Sequence, residues 1–351
     1  MLYRHSAVGT DASSSRVNGL DSIRFLCASV VMFFHLGLIH DRFYGQLETG
    51  LTKAGIGIFN AFFNGPAAVI VFFIISGFCI HYPYKADRRL SLGPFYVRRF
   101  IRILLPAAVC YLSMRWLFHD RTRFQDGVYW SVICEAIYYL IYPLLLYTRR
   151  RSSWPLLFLA SAVAAGLLIA THLSSLSYGL HSYVALNWNT WIVGLPCWIL
   201  GCWLAENYLA FPLLSPVQMW GMRVGIYGLS IAVQLLRFHL GTIFASNCIL
   251  LDLFSLPACV WLGFEIAYFS KHSPPKVLEW AGAWSYSLYL IHPAMLLVFD
   301  ALGLRFILLN SHTHFLIIGA ALIASYVYFL CIERPSHRLS IAASRAVKAY
   351  L

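Results

Sequence analysis

Long apolar segments separated by short polar stretches run along almost the whole chain. Ten of these segments are long enough to cross roughly 30 Å of hydrocarbon as helices. They lie near residues 19–39, 62–82, 103–119, 128–147, 154–172, 189–205, 221–238, 246–269, 284–304 and 313–333. The pattern predicts an all-α, polytopic transmembrane helical bundle of about ten spans. Nine to eleven spans stay open, because the third segment is short and the seventh and eighth lie close together.

The distribution of basic residues orients these spans. If the N-terminus lies in the cytoplasm and the spans alternate, 19 of the 26 lysines and arginines fall on the cytoplasmic side. Cytoplasmic loops of membrane proteins carry such an excess. The asymmetry therefore predicts that both termini are cytoplasmic. We expect a polar N-terminal tail over 1–18, a transmembrane domain over 19–335 and a basic C-terminal tail over 336–351.

The composition excludes an ordinary soluble domain. Hydrophobic residues make up 60% of the chain and charged residues only 11%, against about 25% charged in soluble domains. Lipid must therefore cover part of the apolar surface. The net charge of +12 would also suit nucleic acid, but the basic residues cluster between apolar segments, which favours anionic lipid headgroups. The nine cysteines lie inside apolar segments without metal-ligand spacing, so no metal site is expected.

Two ionisable residues share one face of the first predicted span, GLDSIRFLCASVVMFFHLG. Arg24 and His35 are eleven residues apart, which is three helical turns plus about 20° and a rise of about 16 Å. If Arg24 lies at the inner interface, His35 lies near the middle of the membrane. An ionisable side chain at that depth is costly and is by default a functional candidate. The alternative is a histidine that only hydrogen-bonds between helices.

A basic cluster precedes the third span, in FYVRRFIRILLP. Arg99 and Arg102 are i, i+3 neighbours, so both side chains project from one face of a helix. Two planar guanidinium groups in that arrangement are well suited to bind phosphate. The alternative is an anchor at the cytoplasmic interface, which is the interpretation we prefer for Arg98.

The fourth span, WSVICEAIYYLIYPLLL, contains an isolated acid. Glu135 has no charged neighbour along its own helix, and its unpaired burial would cost several kcal/mol. We therefore expect a partner from another helix, such as a histidine or an arginine. Trp130 and Ser131 lie one turn earlier, near the outer interface, where a tryptophan is also typical of an aromatic belt.

Two weaker signals lie in other spans. In FFIISGFCI the small residues Ser76 and Gly77 permit close helix packing or the approach of a ligand. In YSLYLIHP the side chain of His292 lies in mid-span, before the kinking Pro293.

Taken in order, these segments resemble the acyltransferase-3 family of integral membrane acyltransferases over nearly the whole chain. The resemblance rests on the spacing of Arg24 and His35, the SGF segment, the Arg-x-x-Arg pair, the Trp-Ser…Glu segment, the closing YSLYLIH and a terminal Glu-Arg-Pro. The family often has a second acid directly after the glutamate. Ala136 stands there in this chain, which weighs against a mechanism that needs two carboxylates.

The resemblance implies an enzyme that moves an acyl group, with acetyl as the family default, from cytoplasmic acyl-CoA to a hydroxyl of a cell-surface polysaccharide or glycolipid. Lipopolysaccharide and exopolysaccharide are acceptors of this kind. Arg99 and Arg102 would hold the phosphates of acyl-CoA, with Arg24 assisting. His35 would act as the general base and Glu135 would orient its ring. Residues of the other segments would contribute to substrate binding: Ser76, Trp130, Ser131 and His292.

We therefore expect a multi-pass enzyme of the cell membrane, of the bacterial inner-membrane type. Its partners would be membrane lipid, acyl-CoA as co-substrate and a glycan or glycolipid acceptor, without nucleic acid and without a bound cofactor or metal. A homo-oligomer stays open. The main alternative is a transporter or flippase of lipid-linked sugars, because ten spans and ionisable groups in mid-membrane suit it equally well.

Overall fold

The computed structural model describes residues 17–36, 61–85, 88–118, 124–172, 186–240, 246–304 and 314–350. Within these ranges the regular structure is helical, without strands. The α-helices are α1 (Leu20–Leu36), α2 (Gly65–His81), α3 (Leu92–Phe118), α4 (Phe124–Arg149), α5 (Trp154–Thr171), α6 (Thr190–Asn207), α7 (Pro216–Leu240), α8 (Ser246–Phe269), α9 (Lys276–Gly282), α10 (Ser285–Ala301), α11 (His314–Tyr328) and α12 (Arg334–Tyr350). A π-helical turn, Phe329–Glu333, joins α11 to α12.

The predicted all-α polytopic bundle is confirmed. Among the described residues, eight helices are long and apolar enough to cross a membrane, and a ninth span results if the bent pair α9 and α10 counts as one. The axes of that pair differ by 67°. Helix α1 has 17 described residues and corresponds to the remaining predicted span. Residues 1–16 of the expected N-terminal tail and the end of the first predicted span lie outside the described residues.

The third predicted span begins too late. Helix α3 starts at Leu92, eleven residues before the predicted boundary, and is 27 residues long. Arginine is a good helix former, and Pro94 is tolerated because it lies in the first turn. The basic cluster is therefore part of a continuous helix and does not precede it.

Two glycines bring α2 and α6 into backbone contact. A Cβ atom placed on Gly77 would lie 2.0 Å from the carbonyl oxygen of Trp198, and one on Gly201 would lie 2.0 Å from that of Ile74. Small residues permit this close approach of two membrane helices. The SGF segment thus serves packing at Gly77, and it fixes the position of the neighbouring Ser76.

Two buried ionic networks connect other helices. Arg223 on α7 donates two hydrogen bonds, of 2.7 and 2.8 Å, to the carboxylate of Glu265 on α8. His81 at the end of α2 contacts the Tyr142 hydroxyl and Glu206 Oε1, both at 2.9 Å, and Arg149 pairs with the same glutamate. Each ionised group therefore has an opposite charge, as burial in a bundle requires.

Candidate functional site

A cavity of about 730 Å³ lies between α1, α2, α3, α4, α10 and α12. The basic residues that line it are Arg24, Arg98, Arg99, Arg102, Arg334 and Arg338, and His337 lines it beside them. Its acidic residues are Asp21, Glu135 and Glu333. The remainder of the wall is largely apolar and aromatic. The cavity thus combines an excess of guanidinium groups with a lining suited to an uncharged chain.

The three acids of the cavity already have protein partners. Asp21 accepts a hydrogen bond of 3.0 Å from Arg24 on the same helix. Glu333 accepts hydrogen bonds from the backbone N–H and the hydroxyl of Ser287, at 3.1 and 2.5 Å. The Arg24 guanidinium also lies 3.3 Å from the sulfur of Cys79. Arg24 is therefore the one cavity arginine with an acidic partner among the described residues.

The other five arginines have no such partner. Within the described part of the chain, no hydrogen bond or ion pair neutralises Arg98, Arg99, Arg102, Arg334 or Arg338, although Arg99 lies 6.0 Å from the centre of the Phe95 ring. Like charges that share one cavity repel each other, and the repulsion is strongest between the half-buried Arg99 and Arg102, because water screens the exposed Arg98, Arg334 and Arg338. A bound polyanion would relieve it. The predicted pair Arg99 and Arg102 is thus brought together in one cavity with three further arginines.

Glu135 also faces the cavity, but its partners are not the expected ones. The hydroxyl of Ser76 donates to Glu135 Oε1 at 2.6 Å, and the hydroxyl of Tyr139 donates to the same atom. The indole N–H of Trp198 in turn donates to Ser76 Oγ at 3.2 Å. The expected partner from another helix is present, but it is the Ser76 hydroxyl and not a histidine or an arginine, and two hydroxyl donors meet the need of this half-buried carboxylate.

Trp130 and Ser131, which precede Glu135 in the Trp-Ser…Glu segment, have different surroundings in the structure. Ser131 lines the cavity, donates a hydrogen bond of 3.0 Å to the Val128 carbonyl and lies 2.6 Å from the Tyr289 hydroxyl. Trp130 is absent from the cavity lining, and its ring packs edge-on against Phe73 with centroids 6.1 Å apart. Ser131 is thus placed to meet a ligand in this cavity, whereas Trp130 is not.

The imidazoles of His35 and His292 form a pair between α1 and α10. The Nε2 atom of His292 lies 3.1 Å from Nδ1 of His35, and that Nδ1 also lies 3.0 Å from the carbonyl oxygen of Val31. His292 Nδ1 lies 2.9 Å from the Leu288 carbonyl. A carbonyl can only accept, so each neutral ring carries its proton on Nδ1. His292 Nε2 then accepts from His35, and the lone pair of His35 lies on Nε2.

The histidine pair lies beyond the end of the cavity. Neither His35 nor His292 is among the residues that line it, whereas Tyr289 lines it and has its ring centroid 6.1 Å from that of His292. The expected meeting of His35 with the arginine pair therefore does not occur in this structure. Glu135 does not orient the His35 ring either, because the Val31 carbonyl and His292 occupy that role.

A family model for the acyltransferase domain of the acyltransferase-3 family matches residues 17–331, most of the 351-residue chain. The chain belongs to the acyltransferase-3 family. It is therefore a multi-pass membrane acyltransferase. Neither the curated proteins nor the solved structures that were compared with the chain include a match.

The structure of this acyltransferase adds residues that the sequence patterns missed. Tyr139 follows Glu135 by one helical turn, and Tyr289 precedes His292 by three residues. Helical spacing from the two candidates would have been the signal that finds them. Arg334, His337 and Arg338 were assigned to the end of the transmembrane domain and to the tail. They line the cavity and lie beyond the residues that the family model matches.

Proposed function

We propose that this acyltransferase is an O-acyltransferase that moves an acyl group, acetyl in the simplest case, from cytoplasmic acyl-CoA to a hydroxyl of a cell-surface polysaccharide or glycolipid. The observation that carries the proposal is the set of cavity arginines without acidic partners, next to an apolar wall. Acyl-CoA matches this arrangement, because it joins a cluster of phosphates to a long uncharged arm that ends in the thioester.

The donor would bind with its phosphates at the basic end of the cavity. Arg99 and Arg102, one helical turn apart on α3, would make charge-assisted hydrogen bonds to the diphosphate. Arg24 would assist while it keeps its pair with Asp21. The arm would then extend along the apolar wall towards Ser76, Ser131 and Tyr289, where the Tyr289 hydroxyl can turn to donate to the thioester carbonyl.

His35 is the base in this proposal, and the atom that takes the proton is Nε2. The acceptor hydroxyl loses its proton to Nε2, and its oxygen attacks the thioester carbonyl to form the new C–O bond. The tetrahedral intermediate collapses with cleavage of the C–S bond, and the leaving thiolate takes the proton back from the imidazolium. The reaction is balanced without a metal or redox cofactor, because the thioester is already activated.

Tyr289 lines the cavity and its ring centroid lies 6.1 Å from that of His292, so in this proposal the donor reaches the base when the Tyr289 side chain moves. In its present position the Tyr289 hydroxyl lies 2.6 Å from Ser131 Oγ. Because the Ser131 hydroxyl donates to the Val128 carbonyl, the Tyr289 hydroxyl is the donor in this contact, and a thioester carbonyl that accepts from Tyr289 instead would release the tyrosine from Ser131. Binding of the donor is in this way coupled to access to His35.

The first experiment measures the consumption of acyl-CoA thioester by the purified full-length protein, with and without extracted surface glycan. The second compares surface glycans from cells with and without the gene by mass spectrometry. We expect acceptor-dependent release of free CoA and the loss of one acyl mass from a defined sugar when the gene is absent. Movement of a lipid-linked sugar across vesicles without consumption of thioester would contradict the proposal and favour a flippase.

A further inference from the structure

The C-terminal helix α12 forms part of the cavity wall and is not a separate tail. Arg334 and Arg338 are one helical turn apart on α12, and both line the cavity together with Arg98 of α3. His337 lies between Arg334 and Arg338 in the sequence and lines the same cavity. Arg98, Arg334 and Arg338 form a second basic group, to which α3 and α12 both contribute.

A row of serines holds α12 in this place. Ser336 and Ser340 are 2% and 0% exposed, and Ser344 follows at the same four-residue spacing. The Ser336 hydroxyl donates to the Ile101 carbonyl at 2.7 Å, and the Ser344 hydroxyl donates to the Pro94 carbonyl at 3.0 Å. Small side chains permit close helix packing. The serine face of α12 is therefore fixed against α3 at two points about two turns apart.

The number of arginines exceeds what one diphosphate needs. Arg99 and Arg102 already provide two planar guanidinium groups on a single face of α3, which is sufficient for bidentate contacts to neighbouring phosphates. Arg98, Arg334 and Arg338 also lack an acidic partner in the described structure, and all three line the cavity while they are exposed to solvent, so they are available to a further anionic group of the same ligand. An acyl-CoA molecule has one more anionic group, the phosphate on the 3′ position of its ribose, at a distance from the diphosphate.

We propose that Arg98, Arg334 and Arg338 bind the ribose 3′-phosphate of the donor, while Arg99 and Arg102 bind the diphosphate. This inference rests on the proposed function, because it takes acyl-CoA as the donor. It assigns to α12 the selection of a 3′-phosphorylated nucleotide and makes the C-terminal helix part of the donor site.

The experiment compares CoA with 3′-dephospho-CoA as ligands of the purified full-length protein by isothermal titration calorimetry. We expect the wild type to bind CoA at least about tenfold more tightly, since hydrogen bonds between charged groups contribute about 1.5–3 kcal/mol. The double variant Arg334→Ala/Arg338→Ala should bind both ligands equally, at the affinity that the wild type shows for 3′-dephospho-CoA. Arg99→Ala should weaken the binding of both ligands and leave the ratio of their dissociation constants unchanged.

Lys348→Ala is the matched control, because Lys348 is a basic residue of the same helix and is absent from the cavity lining. It should keep the preference for CoA. Arg338→Lys should keep part of the preference for CoA, because lysine retains the positive charge but lacks the planar guanidinium group. Size-exclusion profiles of all variants should match that of the wild type. A phosphate of an anionic lipid in this place would leave the two ligands indistinguishable to the wild type.

The outcomes separate the inference from the proposed function. Equal binding of CoA and 3′-dephospho-CoA by the wild type would overturn the role of α12 and leave acyl-CoA as the donor. Failure of the wild type to bind either ligand would contradict the proposed donor itself. A preference that survives in the double variant would place the 3′-phosphate elsewhere in the cavity.

Discussion

The Nε2 atom of His292 lies 3.1 Å from Nδ1 of His35, and the centroids of the two rings are 5.1 Å apart. His292 is fully buried, and its own Nδ1 faces the Leu288 carbonyl. This relationship fixes which nitrogen of His35 carries the proton in the neutral ring. The basic lone pair of His35 is held on Nε2, the side of the ring that faces away from His292.

His35→Ala should abolish acyl transfer, because a general base contributes about 10²- to 10⁴-fold to such a reaction. The measurement is the acceptor-dependent consumption of acyl-CoA by the purified variant. Binding of CoA should stay close to that of the wild type, because His35 does not line the arginine cavity. Full activity of the variant would remove His35 from the mechanism, and a parallel loss of CoA binding would indicate a structural role.

His292→Phe should lower kcat about 10- to 100-fold and leave the KM for acyl-CoA unchanged, because the His35 N–H keeps the Val31 carbonyl but loses the second acceptor that orients the ring, while the donor cavity is intact. The matched variant His292→Gln keeps an oxygen that can accept from His35, so part of the rate should return. Equal loss in both variants, or a change in KM alone, would contradict a positioning role for His292.

The spans could be predicted from the sequence, whereas the contacts between them could not. Hydrophobic length specifies which segments enter the membrane, and it located helices such as α5 and α8 to within a few residues. The partner of a buried side chain depends on which helices pack together. Ser76 on α2 and Glu135 on α4 are 59 positions apart, and their hydrogen bond depends on the packing of these two helices against each other.

The basic helix α12 shows a second limit. Its charge and position predicted a tail, because a basic amphipathic helix of this kind suits a membrane surface as well as it suits packing against the bundle. Serine hydroxyls that donate to carbonyls of α3 hold it instead. A polar side chain that serves as a docking contact has the same sequence signature as one exposed to water, so only the structure places Arg334 and Arg338 in the cavity.

Arg99→Ala should raise the KM for acyl-CoA about tenfold or more and change kcat little, because it removes a charge-assisted contact to the donor phosphates. The measurement is the dependence of thioester consumption on donor concentration. The KM of Arg99→Lys should lie between those of the wild type and Arg99→Ala, since lysine keeps the charge but not the bidentate geometry. An unchanged KM in Arg99→Ala would make Arg99 an interfacial anchor only.

Gly77→Ala should destabilise the protein, because the added methyl group would lie 2.0 Å from the backbone oxygen of Trp198 and the two helices would have to separate. The matched control is Gly225→Ala on α7, where an added Cβ atom meets nothing within 4 Å. Thermal unfolding in detergent should show a lower midpoint for Gly77→Ala and an unchanged or higher midpoint for Gly225→Ala. Equal midpoints would contradict the close contact of α2 and α6.

Arg223→Ala should destabilise the junction of α7 and α8 by about 3–5 kcal/mol, because it leaves the buried carboxylate of Glu265 without its positive partner. The side chain of Glu265 is only 2% exposed, so water cannot replace the two hydrogen bonds that Arg223 donates. The double variant Arg223→Ala/Glu265→Gln removes the uncompensated charge and should recover much of the loss. Reversible thermal unfolding of Arg223→Ala, Glu265→Gln and the double variant measures the coupling energy between the two residues. If the changes in unfolding free energy of the two single variants add up to that of the double variant, Arg223 and Glu265 do not stabilise each other, and the prediction is wrong.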